Sequence, residues 1–130
     1  MNPANNLTKE LFCTRSHEWI SFDNTEAFIG ITDHRIAGAK EVIRLEYVRI
    51  YGFKKKGETF ANIQLNNRRF EVRMPVDGSI ISVNNTNLLV QEQYLLSKPE
   101  KEGWLVKILV SQPCEMKGLI PLDEYNIKVR

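Results

Sequence analysis

The chain has 130 residues, a formal net charge of +2, and 26% charged against 42% hydrophobic side chains. That is one domain with room for its own core, too apolar for disorder, and without the concentrated basic charge of a nucleic-acid binder. Cys13 and Cys114 stand far apart with no CxxC or CxxH spacing, so neither a zinc site nor a disulfide is indicated.

Residues 1–11 read as a flexible, polar lead-in without the charged-then-apolar pattern of a signal peptide. No apolar run approaches the ~20 residues that span a bilayer, so a soluble cytoplasmic protein without a membrane partner is expected. From Trp19 the pattern alternates. Trp19 to Phe22, an Asp23-Asn24 turn and Ala27 to Ile31 make a β-hairpin. Thr32 or Asp33 caps a short helix over 33–40, weakened by Gly38. Val42 to Ile50 reads as a half-buried strand with Ile43, Leu45 and Tyr47 inward and Arg44 and Glu46 outward. Lys54-Lys55-Lys56-Gly57-Glu58 reads as a solvated loop.

A second hairpin runs from Phe60 to Leu65, turns at Asn66-Asn67 and returns from Phe70 to Met74. Asparagine tolerates positive φ better than other non-glycine residues, which suits such a turn. Pro75 ends the return strand, because it has no N–H for the ladder. Ser79 to Val83 is another strand, 84–87 a polar turn or a helix cap, 88–96 a short helix, and Trp104 to Val110 a strongly apolar strand. A last helix is expected over 122–129. Many short strands with small helices at the ends predict a β-rich sandwich or barrel.

Several motifs occur in a fixed order. Ser16-His17-Glu18-Trp19 precedes Ile29-Gly30-Ile31-Thr32-Asp33. Lys55-Lys56-Gly57-Glu58, Met74-Pro75-Val76-Asp77-Gly78-Ser79-Ile80, Glu102-Gly103-Trp104-Leu105-Val106-Lys107-Ile108 and Leu122-Asp123-Glu124-Tyr125 follow. Together they resemble the glycine cleavage system H protein family over roughly residues 12–127. The resemblance implies a mainly β fold: a flattened barrel or sandwich of two antiparallel sheets, the barrel-sandwich hybrid (hammerhead) of lipoyl and biotinyl domains. Short helices, one of them C-terminal, complete it, and the domain takes in residues 12–130. It implies a carrier and not an enzyme: lipoate, amide-linked to a lysine at a hairpin tip, takes an aminomethyl group from the P protein, offers it to the T protein and is reoxidised by the L protein.

Counting back from Pro75 and forward from Phe60, the family's lysine falls on Asn67, and 62–74 contains no lysine. A carboxamide nitrogen gives its lone pair to the carbonyl and is no nucleophile. The neighbouring Arg68 and Arg69 stay protonated. The expectation is therefore a non-lipoylated chain with no cofactor, acting as a binding or adapter module. Its partners would be a P, T or L protein or a lipoate-attaching enzyme. The alternative is a genuine lipoyl carrier modified at an atypical lysine. The tip residues Asn66, Asn67, Arg68 and Arg69 form a candidate contact surface, because paired guanidinium forks suit a carboxylate or phosphate. The resemblance also places a vestigial cleft for the loaded arm at Ser16, Glu18 and Glu71.

The other chemistry-bearing residues point to little. His17 and His34 have no companions at metal-ligand spacing, and Asp33-His34 reads as a helix start. Cys13 lacks an activating context. Trp19 and Trp104 read as core anchors. No nucleophile, base and orienting group assemble, so a small enzyme using Glu18, His17 or Cys13 ranks last.

Overall fold

Among the described residues, ten strands and three helices follow one another. They are β1 (Phe12–Cys13), β2 (Glu18–Asp23), β3 (Glu26–Ile31), α1 (Asp33–Ile36), β4 (Val42–Tyr47), β5 (Gly52–Lys54), β6 (Thr59–Leu65), β7 (Arg69–Arg73), β8 (Gly78–Val83), α2 (Leu88–Ser97), β9 (Val106–Val110), β10 (Ile120–Pro121) and α3 (Leu122–Lys128). The structure is a computed structural model and describes residues 10–48, 51–84 and 88–129, the side chains of 88 and 89 excepted. The expectations placed on 1–9, 49–50, 85–87 and 130 lie outside the described residues.

The strands form two antiparallel sheets. One has seven strands in the order β10-β1-β2-β3-β9-β8-β5, the other three in the order β4-β6-β7. The sheets do not close into a barrel, so the sandwich form of the expected fold is the one observed. Alternation explains the packing: in β6, Phe60, Ile63 and Leu65 are buried while Asn62 and Gln64 are half-buried. These side chains meet Ile20, Ile29, Val72, Met74 and Ile108 in one core between the sheets. A smaller cluster of Leu11, Cys13, Trp19, Phe28 and Tyr125 lies beside it. There Tyr125 of α3 packs against β1, β2 and β3. No helix among the described residues is long and apolar enough to cross a membrane.

Four local expectations are corrected. A β-bulge between Val42 and Arg44 shifts the register of β4 on β6, so Val42 is buried and Ile43 is 52% exposed. The lysine loop is not wholly solvated. Gly52–Lys54 pairs with β8 as an edge strand, and Lys54 is buried with its Nζ 3.3 Å from Glu58 Oε2. Helix α1 is a single turn, capped by Thr32, whose side chain accepts from the Arg35 N–H. The chain then leaves it through Gly38 at φ +82°. The apolar stretch from Trp104 becomes a strand only at Val106.

Trp19 fixes the pairing of β2 with β3. Its ring lies across Gly30, directly opposite on β3, and its Nε1 donates to the Pro99 carbonyl at 2.9 Å. A Cβ on residue 30 would sit 2.7 Å from three atoms of the indole. Gly30→Ala is therefore expected to destabilise the fold by about 1–3 kcal/mol, the usual range for overpacking. A lower urea midpoint with an unchanged m-value is the expected result, and an unchanged midpoint would show that the ring has room to shift.

Candidate functional site

The β6–β7 hairpin turns through Asn66, Asn67 and Arg68, with Leu65 N–H donating to the Arg68 carbonyl at 2.7 Å. The turn is held against the body. Asn66 Oδ1 accepts from the N–H groups of Lys40 at 2.9 Å and Glu41 at 3.2 Å. The Asn66 N–H donates to the Glu41 carbonyl at 3.1 Å. Arg68 reaches the other way and donates to the carbonyls of Arg35 and of Ala37, the latter at 3.0 Å. Gly38 at φ +82° lets the chain after α1 bend back to meet these groups. Asn67 is exposed at the end of this turn.

The two arginines named for this surface part company. Arg68 is spent on backbone carbonyls. Arg69 begins β7, is exposed, and lies opposite Gln64. Arg35, which carried no signal in the sequence, stacks its guanidinium 4.1 Å over the Phe70 ring. Burial lowers its pKa and so does the charge of Arg68, while Glu18 acts the other way.

The structure brings Ser16 and Glu18 together and gives Glu71 different partners. Glu18 is 1% exposed. Its Oε1 accepts from Thr14 Oγ1 at 2.5 Å and Ser16 Oγ at 2.6 Å, and its Oε2 accepts from the Arg73 N–H at 3.1 Å. Thr14 Oγ1 in turn accepts from the Glu18 N–H at 3.1 Å. Glu71 is exposed on β7, where it accepts from Thr59 Oγ1 at 2.5 Å and pairs with Arg73 at 3.2 Å. Thr14 was not singled out from sequence, although a hydroxyl at every second position before Glu18 is what the two bonds to Oε1 require.

His17 sits beside this centre at φ 73°. Its Nδ1 is 2.6 Å from Tyr125 Oη, which is also 2.7 Å from Thr32 Oγ1. The rings of His17 and His34 lie 4.9 Å apart. Burial pushes the Cys13 thiol up to about 12, which leaves it protonated and inert.

Burial, then the nearby His34 and Arg35, lower the His17 pKa below its ordinary 6.5. The unfolded chain therefore takes up this proton before the folded one. The stabilising contribution is full above the ordinary value and is lost as pH falls through the folded-state value. His17→Asn removes the titration and tolerates positive φ. It is expected to flatten the decline of the denaturation midpoint between about pH 7 and pH 5, and an unchanged slope would assign that decline to other groups.

The glycine cleavage H-protein family model matches residues 11–130. A probable glycine cleavage system H protein of Aeropyrum pernix is 32% identical over 95% of this chain and 86% of its own length. The H protein of Thermotoga maritima is 34% identical over 87% and 90%. The mitochondrial H protein of Mesembryanthemum crystallinum is 36% identical over 85% of this chain and 67% of its own length. The crystal structure of a glycine cleavage system H protein from Mycobacterium marinum superposes with a TM-score of 0.76 over 92% of this chain and 95% of that one, at 20% identity, a likeness of fold. These matches correct the expectation of no cofactor. The family is the lipoate-carrying one and the match spans the hairpin that bears Asn67, so an absence of the cofactor does not follow. This protein belongs to the glycine cleavage H-protein family.

Proposed function

We propose that the chain is an adapter module of glycine cleavage that docks through its H-protein body on a P, T or L protein or on the lipoate-attaching enzyme, and has no catalytic set of its own. The observation that carries this reading is the hairpin tip. It is fixed by Asn66 and Arg68, so it presents one conformation and little ordering cost accompanies docking. Asn67 is not the point of attachment in this reading, because its carboxamide does not fit an amide-linked acid.

One observation favours the carrier as a second reading. Lys40 is exposed, its backbone is bonded to Asn66 beside the tip, and its amine has no hydrogen bond or ion pair with another described residue. An amine at that place is free to be acylated, and Lys40 would hold the arm next to the turn where the family carries it.

Two measurements on one preparation separate the readings. The chain is co-expressed with a lipoate-attaching enzyme and examined by intact mass and peptide mapping. It is then titrated against immobilised P, T and L proteins and the attaching enzyme. The adapter reading expects saturable binding to at least one of them, unchanged in Lys40→Arg. Binding to none overturns it. A lipoyl increment mapped to Lys40 and lost in Lys40→Arg establishes the carrier reading.

A further inference from the structure

The outer face of the β4-β6-β7 sheet carries two rows of polar side chains. Arg44, Gln64 and Arg69 stand opposite one another in register, and Glu46, Asn62 and Glu71 form the adjacent row. Together they line a surface cavity of about 460 Å³, within the size range of small-molecule sites. Arg44 and Glu46 pair with each other at 2.8 Å. Glu71 has one oxygen on Thr59 and Arg73. The side chains of Asn62, Gln64 and Arg69 have no hydrogen bond or ion pair with any described residue. A guanidinium fork and two primary amides are thus open to a ligand, beside two carboxylates with unused lone pairs.

We infer that this face binds a small zwitterion of the α-amino-acid class. The ligand carboxylate lies in the fork of Arg69 beside the Gln64 amide, and its ammonium between Asn62 and the carboxylates of Glu46 and Glu71. The rows are two residues apart along each strand, about 6.8 Å. The long side chains close that backbone span at their ends, as the 2.8 Å pair of Arg44 and Glu46 across the two rows shows, which favours a ligand whose two charges lie close together. A phosphate or a dicarboxylate brings a second negative charge against Glu46 and Glu71. A simple amine leaves the fork of Arg69 unfilled. Only a molecule with both charges matches both rows.

The inference is independent of the docking and carrier readings, and its test uses neither a partner nor an acylated chain. Glycine, the smallest such zwitterion, is titrated into the full-length 15N-labelled protein. The readout is the side-chain amide signals of Asn62 and Gln64. Saturable shifts with glycine, absent with acetate or methylammonium at the same concentrations, are expected. Arg69→Gln should weaken glycine by roughly tenfold or more while leaving the backbone spectrum intact. Lys128→Gln, exposed on α3 and outside the cavity, should leave glycine binding unchanged. No saturable shift with glycine, an equal response to acetate, or undiminished binding in Arg69→Gln overturns the inference.

Discussion

A carboxylate with almost no contact with solvent holds the candidate site in place. Taking Glu18 out of water carries a large desolvation cost, which is tolerable only when its lone pairs are met. Here two hydroxyls from the β1–β2 turn and one backbone N–H from β7 meet them. β2 belongs to the seven-stranded sheet and β7 to the three-stranded one. The same side chain therefore shapes the turn before it and pins the return strand of the β6–β7 hairpin. The apolar core between the sheets supplies most of the attraction, but it is non-directional. Glu18 supplies a direction, and the position of the tip relative to the body follows from it.

Around that centre the molecule has two regions of different character. The tip is clasped by backbone groups through Asn66 and Arg68, so its exposed residue, Asn67, is offered to solvent from a fixed base. On the outer sheet face next to it, Arg69 and the amides of Asn62 and Gln64 have no hydrogen-bond or ion-pair partner among the described residues. Arg68 and Arg69 are adjacent in sequence yet belong to different regions. The strand begins between them, and alternate residues of a strand face opposite ways. Lys40, just past the bend at Gly38, is exposed and meets the tip through its backbone N–H on Asn66.

Much of the fold was legible because the pattern is local. The Asp23-Asn24 hairpin, the β6–β7 hairpin and the final helix each follow from alternation and turn chemistry within a dozen residues. What was not legible depends on distant partners. β1 and β10 are two residues each and exist as strands because they pair with one another and β1 pairs in turn with β2. Ile43 points outward because of a bulge set by the partner strand. Lys54 is buried because β8 receives β5 as its neighbour, which three consecutive lysines do not announce. For the site, Ser16 and Glu18 were nameable from the Ser-His-Glu-Trp segment. Their third partner, the Arg73 N–H, is a backbone group 55 positions away and leaves no mark in the sequence. The clasp of Arg68 on α1 is invisible for the same reason.

The central claim is that the Glu18 carboxylate fixes β7 on the seven-stranded sheet. The direct test is amide hydrogen exchange at Arg73 in the wild type and in Glu18→Ala, with the amides of β2 and β3 as internal reference. Loss of the acceptor leaves that N–H without its partner, a penalty of about 1–3 kcal/mol. Arg73 is expected to exchange at least about fivefold faster relative to the reference amides. Equal acceleration at all these positions, or none at Arg73, would contradict it.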